Sequence, residues 1–389
     1  MIADRLRPIL DAEYPRFSEA EMAPRRRAVE GLLAEAGCGH LAYCGANRFG
    51  SVVQWLTGWP VTAEAVGVLS PGERDALFVQ YHNHVPQARK LAHDADVAWG
   101  GQSSIGAAID ELRKRGAQTD RVATIGPLSA EQRAALSAGF GKLTSLNKGY
   151  LRLRMIKSAE EIDWLSIGAH FSDLGMLALR DGLRAGLTER ELGDLVERAY
   201  VAQGGANVIR YFGVTAMGDP QLAVPAQFPS TRRVQAGDIV FAEIAAAFWE
   251  YPGQVLRSFA FGEPTPLYRD LHAVADAAFD AIAAVLRDGA LPAQVIEAAR
   301  VIEDAGFTTI DDLLHGYGGG YLPPILGAAS RPAGPVPDEP FRAGMTVVIQ
   351  PNVVTKDHRA GVQTGEMVLI TEGGIERMHA MPRGFAVLG

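Results

Sequence analysis

Residues 240–248 read Val-Phe-Ala-Glu-Ile-Ala-Ala-Ala-Phe, apolar throughout except for one carboxylate. Such a run reads as a strand, and strand alternation puts Glu243, Ala245 and Ala247 on one face. An unpaired carboxylate in those surroundings costs several kcal/mol. The chain must therefore give Glu243 either a pocket or a cationic partner. A pocket is the better explanation; a structural pairing with Arg257 is the competing one.

The elements around that strand divide the chain in two. Up to about Tyr150, helical patterns at 25–36, 105–115 and 130–138 alternate with strand patterns at 40–44, 76–81 and 122–125. This alternation predicts a three-layer α/β domain over residues 1–150. A helical stretch follows, opened by the capping box Ser158-Ala-Glu-Glu161. A second box, Thr188-Glu-Arg-Glu191, starts a new helix after Gly186 has closed the previous one. From Gly237 strands dominate, at 239–247 and 255–261, with helices at 267–287 and 292–303 and further strands at 345–349 and 368–371. Two domains, 1–150 and 151–389, suit a chain of 389 residues.

Charge and cysteine usage narrow the setting. A net charge of -8 argues against a nucleic-acid or anionic-membrane partner. No apolar run approaches the ~20 residues that span a bilayer, and the N-terminus lacks the apolar core of a secretory signal. Cys38 and Cys44 do not make a disulfide framework, so buried thiols in a reducing, cytoplasmic compartment are expected.

Six motifs then follow one another in a recognisable order. They are Leu56-Thr57-Gly58-Trp59, the stretch 151–186, Ala236-Gly237-Asp238-Ile239-Val240, Arg257-Ser258-Phe259, His315-Gly316-Tyr317-Gly318, and the strand from Gly344-Met345 to Gln350-Pro351. Together they resemble the creatinase, prolidase and aminopeptidase P family. The resemblance implies an α/β N-terminal creatinase-like domain followed by an α+β C-terminal pita-bread domain. It also implies a homodimer, in which the N-terminal domain reaches the neighbouring subunit's site; Arg48, Trp55 and Trp59 are candidates for that role, with core packing as the simpler reading of the tryptophans.

Peptidases of this family hold two divalent metals with two Asp, one His and two Glu. At the matching positions this chain has Glu243, Gln254, His315, Gln350 and Gly365, with Glu366 beside the last. A neutral amide cannot supply the negative charge of a bridging carboxylate, and glycine supplies no side chain. The family's helper histidines fall on Ala226 and on Leu322 or Tyr321. Creatinase resembles this case in working without metals, although its catalytic histidine position is Ala226 here.

The expectation is thus a metal-independent, cofactor-free enzyme acting on a small polar molecule, with C–N hydrolysis the commoner chemistry and a lyase reaction as an alternative. Glu243 and His315 would move protons. Gln254, Gln350, Tyr317, Tyr321, Glu366, His358, Arg257 and Trp59 are the candidates for holding substrate. A mononuclear metal site of His315, Glu243 and Glu366 is the alternative enzyme, and a catalytically silent binding protein the third reading. Such silent relatives carry long charged tails or basic patches, and this sequence shows neither. The segment His82-Asn83-His84 could mimic a metal pair but has no third ligand near it in sequence.

Overall fold

The computed structural model describes residues 2–47 and 49–389, so the expectation for Arg48 lies outside the described residues. The chain divides into two compact units, Arg7–Arg154 and Met155–Gly389, the second joined by the segment ending at Leu6. The division falls after Arg154 rather than at Tyr150.

In the N-terminal unit, β1 (His40–Ala46), β2 (Glu64–Leu69), β3 (Asp75–Val79), β4 (Ala95–Trp99), β5 (Val122–Ile125) and β6 (Thr144–Ser145) form one sheet. The order is β4-β3-β2-β1-β5-β6. The first long helix, Glu19–Glu35, begins well before residue 25 because the Ser18 hydroxyl caps it by accepting from the Glu21 N–H; Pro24 lies inside it. Strands β2 and β4 escape a pattern-based reading: β2 is broken by Gly67, and β4, Ala-Asp-Val-Ala-Trp, is short and half polar. Trp55 and Trp59 are both buried within this unit, and Cys38 and Cys44 are buried free thiols. His82–His84 forms a short turn in which His84 Nδ1 meets the Thr62 hydroxyl at 2.6 Å.

The C-terminal unit is built on strands β7 (Ala206–Ala216), β8 (Asp238–Phe248), β9 (Tyr251–Phe261), β10 (Thr308–Thr309), β11 (Leu314–Tyr317), β12 (Tyr321–Leu326), β13 (Thr346–Ile349), β14 (Val353–Val354), β15 (Gly365–Ile370), β16 (Ile375–Arg377) and β17 (Ala386–Leu388). Seven of them make an antiparallel path, β12-β11-β13-β15-β9-β8-β7. Helix Ala159–Gly182 lies against β8 and β9, where the Ser172 hydroxyl donates to the Gly253 carbonyl and accepts from the Ala246 N–H at 2.8 Å. Gly253 permits this approach: a Cβ there would sit 2.2 Å from the Ala169 Cα.

Helix Pro266–Val285 covers the other half, packing Tyr268, Leu271 and Phe279 with Phe241, Val347 and Val368 in one apolar core. Each such side chain, fully buried, contributes roughly 1.5–3 kcal/mol. The expected helix at 292–303 is two pieces, Pro292–Ala298 and Val301–Asp304. Among the described residues, no helix is long and apolar enough to cross a membrane.

Candidate active site

Register decides what gathers around Glu243. In the β8–β9 ladder Glu243 pairs with Leu256 and Ala245 with Gln254, so Glu243 and Gln254 share a face. The Gln254 amide N–H donates to Glu243 Oε1 at 2.8 Å and lies 3.3 Å from Gln350 Oε1, at the end of β13. On the opposite edge, Tyr211 of β7 pairs with Glu243 directly. Strand β11 contributes His315, fully buried, whose Nδ1 donates to the Gly316 carbonyl at 3.1 Å. That bond puts the proton on Nδ1 and the lone pair on Nε2. Tyr321 stacks on the imidazole at 3.8 Å between ring centroids, and Tyr317 meets it edge-on at 5.5 Å.

The electrostatics follow from burial and from acidic neighbours. Burial, together with the charge of Asp311, lifts the Glu243 carboxyl to about 7, against the pull of the nearby Gln363 carboxamide and of the Gln254 hydrogen bond. Burial lowers His315 below its ordinary 6.5. Burial raises Tyr317 and Tyr321, and the charge of Glu243 adds to the rise in each. Near neutral pH the site thus offers a partly protonated carboxylic acid and a neutral imidazole with an open lone pair.

Sequence reasoning passed over four residues here. Gln363, Asn352 and Asp311 lie in loops with no motif of their own, and Tyr211 lies on a strand diluted by Asn207 and Arg210. Asn352 donates to Asp311 Oδ2 at 3.4 Å. Gln363 is fixed by Ser258, whose Oγ accepts from its N–H at 2.8 Å and donates to its carbonyl at 2.9 Å. Only the strand alternation that carries Ser258 onto the Gln254 face could have pointed to it.

Four of the expected site residues stand elsewhere. Arg257 neither pairs with Glu243 nor offers a free guanidinium. It donates to Glu366 Oε2 at 2.6 Å and to the carbonyls of Gly365, Leu256, Pro382 and Met381. Glu366 is fully buried between Arg257 and Arg377, because alternation along β15 turns it to the face opposite residue 365. His358 sits exposed in the loop after β14, with a positive φ of 58°. Trp59 is a core residue of the N-terminal unit.

These residues do not fit a two-metal centre. At the matched positions the one carboxylate is Glu243, and it receives an amide N–H where a bridging ligand would face cations. At the last ligand position a Cβ on Gly365 would lie 2.5 Å from the Ile349 carbonyl oxygen and 2.9 Å from the Gln350 Cα. The neighbouring strand end occupies the room a glutamate would need. Glu366, required by the mononuclear alternative, is already committed to two arginines. Among the described residues no cluster of three or more His, Cys, Asp and Glu could hold a metal. One consequence is directly measurable: Gly365→Ala should lower stability by about 1–3 kcal/mol through overpacking, read from denaturant unfolding. An unchanged midpoint would mean the strand ends are looser than the structure has them.

Comparison with known proteins places this geometry. The profile of "Metallopeptidase family M24" matches residues 165–372, more than half of the chain. The Xaa-Pro dipeptidase of Pyrococcus furiosus is 26% identical over 230 residues, covering 58% of this chain and 63% of that protein. The matched region thus spans less than two thirds of that relative's length. Among solved structures, the X-Pro aminopeptidase of Thermotoga maritima MSB8 superposes with a TM-score of 0.79 at 20% identity, over 93% of this chain and 99% of that one. The prolidase of Pyrococcus furiosus gives 0.77 at 19%, over 91% and 99%. Both units therefore have the creatinase-like and pita-bread architecture.

Proposed function

We propose a metal-independent hydrolase of C–N bonds in small polar amides, from the premise that this chain belongs to metallopeptidase family M24. The observation that carries this reading is the Gln254 amide held on Glu243 at 2.8 Å. A group that donates a hydrogen bond takes the place of a second metal ligand. The hydrolase part is supported by the chain's similarity to a protein named Xaa-Pro dipeptidase.

The order of the two acidities assigns the roles. Between the lowered value of His315 and the value of about 7 for Glu243, the dominant form has a neutral imidazole and a protonated carboxyl. His315 Nε2 takes a proton from water as the water oxygen bonds to the substrate carbonyl carbon. Glu243 gives its proton to the amide nitrogen as the C–N bond breaks, releasing an amine and a carboxylic acid. The proton on His315 then returns to Glu243 through solvent or product. The Gln350 Nε2 hydrogens, without a protein partner, are donors available to the oxygen that gains charge. General acid–base groups of this kind are worth about 10²- to 10⁴-fold each.

Two tests address this reading. Untagged protein dialysed against a strong chelator should keep its hydrolysis of Xaa-Pro dipeptides or aminoacyl amides, followed by amine release, and should hold less than one metal per chain. Two metals per chain, with activity lost in chelator and restored by metal, would overturn it. The second test is the pH profile of kcat/KM from about pH 5 to 9. Activity should rise as His315 deprotonates below its ordinary 6.5 and fall as Glu243 ionises near 7. A rate that keeps climbing to alkaline pH would count against Glu243 as the acid.

A further inference from the structure

Polar atoms buried without a protein partner are uncommon, and each costs roughly 1–3 kcal/mol unless something pairs with it. Several occur together here: Gln254 Oε1, Gln350 Nε2, His315 Nε2, Asn352 Oδ1, and both Gln363 Oε1 and Gln363 Nε2. Gln363 differs from the others because both ends of its carboxamide are unmatched while the residue is 1% exposed. The two Ser258 bonds hold its backbone, and it lies beside Glu243.

A carboxamide with both ends open offers one donor and one acceptor about 2 Å apart in a plane. Its complement is a group presenting an adjacent carbonyl oxygen and N–H: a primary amide, a lactam or a ureide. A carboxylate satisfies only the Gln363 N–H end and sets a negative oxygen against Oε1. Nothing nearby in the described C-terminal unit compensates that charge. The charged neighbour acting on Glu243 is Asp311, those acting on His315 are Asp311 and Asp312, and the Arg257 guanidinium is bound to Glu366.

We propose that Gln363 is a specificity-determining residue that grips an uncharged amide head group of the substrate by two hydrogen bonds, so that the site selects carboxamide-type substrates over those ending in a free carboxylate. This rests on the assignment of the Glu243 cluster as the substrate site. It goes beyond that assignment by fixing the chemistry of the group bound next to the reacting bond.

Matched probes test it: glycyl-L-prolinamide against glycyl-L-proline, and L-prolinamide against L-proline. Affinities are measured by titration calorimetry in chelator at about pH 6.5, where Glu243 is largely protonated. Calorimetry reads binding whether or not turnover occurs, so loss of activity in chelator would sink the metal-independent assignment and leave this result standing. The amide of each pair should bind at least about 10²-fold tighter, because a site built to pair with a hydrogen-bonding group rejects an analogue that leaves its polar atoms unmatched. Gln363→Leu should reduce that preference to within a few-fold by weakening the amide alone, with melting temperature unchanged or raised, since two unmatched polar atoms disappear. Gln363→Met, closer in shape, guards against a packing effect and should behave the same way. Equal affinities in the parent protein, tighter binding of the acids, no binding of either amide, or a preference that survives both substitutions would each overturn the proposal.

Discussion

Glu243→Gln is expected to lower kcat by about 10²- to 10⁴-fold and, at alkaline pH, to make the protein more stable. Both effects follow from one burial. The carboxyl has an ordinary value of 4.5 and is lifted to about 7 in the fold. The native state therefore holds a proton that the unfolded chain has already released between those values. The associated stability is fully present below 4.5 and is lost as pH rises through about 7. At 1.36 kcal/mol per pH unit, ionised Glu243 costs the fold on the order of 3 kcal/mol above that range. Glutamine keeps the shape and still accepts from the Gln254 amide, but it cannot ionise and cannot donate a transferable proton. Chemical denaturation of parent and variant at about pH 4 and about pH 8.5 reads the stability difference, which should be small at the lower value and close to its full size at the higher one. A structural carboxylate would give the opposite pattern, an active variant with a lower midpoint. Near-normal kcat in Glu243→Gln would end the assignment of Glu243 as the acid.

What the sequence made legible follows from how local each signal is. The β8 run announces itself because its signal is hydrophobicity within one strand, and Glu243 is conspicuous only against that background. Capping boxes at Ser158 and Thr188 are equally local and form as written, with side-chain to backbone bonds in both directions. The amides Gln254 and Gln350 came from resemblance rather than from physics, since nothing in a lone glutamine marks it as facing an acid. Gln363 and Asn352 were invisible for the same reason: their significance lies in having no partner, which only three-dimensional packing reveals. Glu366 was misplaced by a single residue of register. Along a strand that error exchanges the pocket face for the opposite one, so a ligand candidate becomes half of a buried ion pair.

That ion pair supplies the second large effect. Glu366→Gln should cost about 3–5 kcal/mol, the usual penalty for leaving a buried charge without its partner. For a unit of this size that lowers the melting temperature by about 6–20 °C. Arg257 is 2% exposed and has no water to turn to, and its remaining bonds to the Gly365, Leu256, Pro382 and Met381 carbonyls do not neutralise it. Burial alone would raise the Glu366 carboxyl, but Arg377 and Arg257 more than offset it and hold the group below its ordinary 4.5. The stability it contributes is present above 4.5 and disappears as pH falls through the lowered value, so parent and variant should converge in acid. Well below the variant's melting temperature, kcat should stay within a few-fold of the parent, since Glu366 meets arginines rather than Glu243 or His315. The mononuclear-metal alternative demands the reverse: a ligand carboxylate changed to an amide would abolish activity and leave the melting temperature nearly untouched. Glu366→Gln that melts normally and is inactive would therefore return Glu366 to the active site and undo the separation of the two faces on which the metal-independent reading stands.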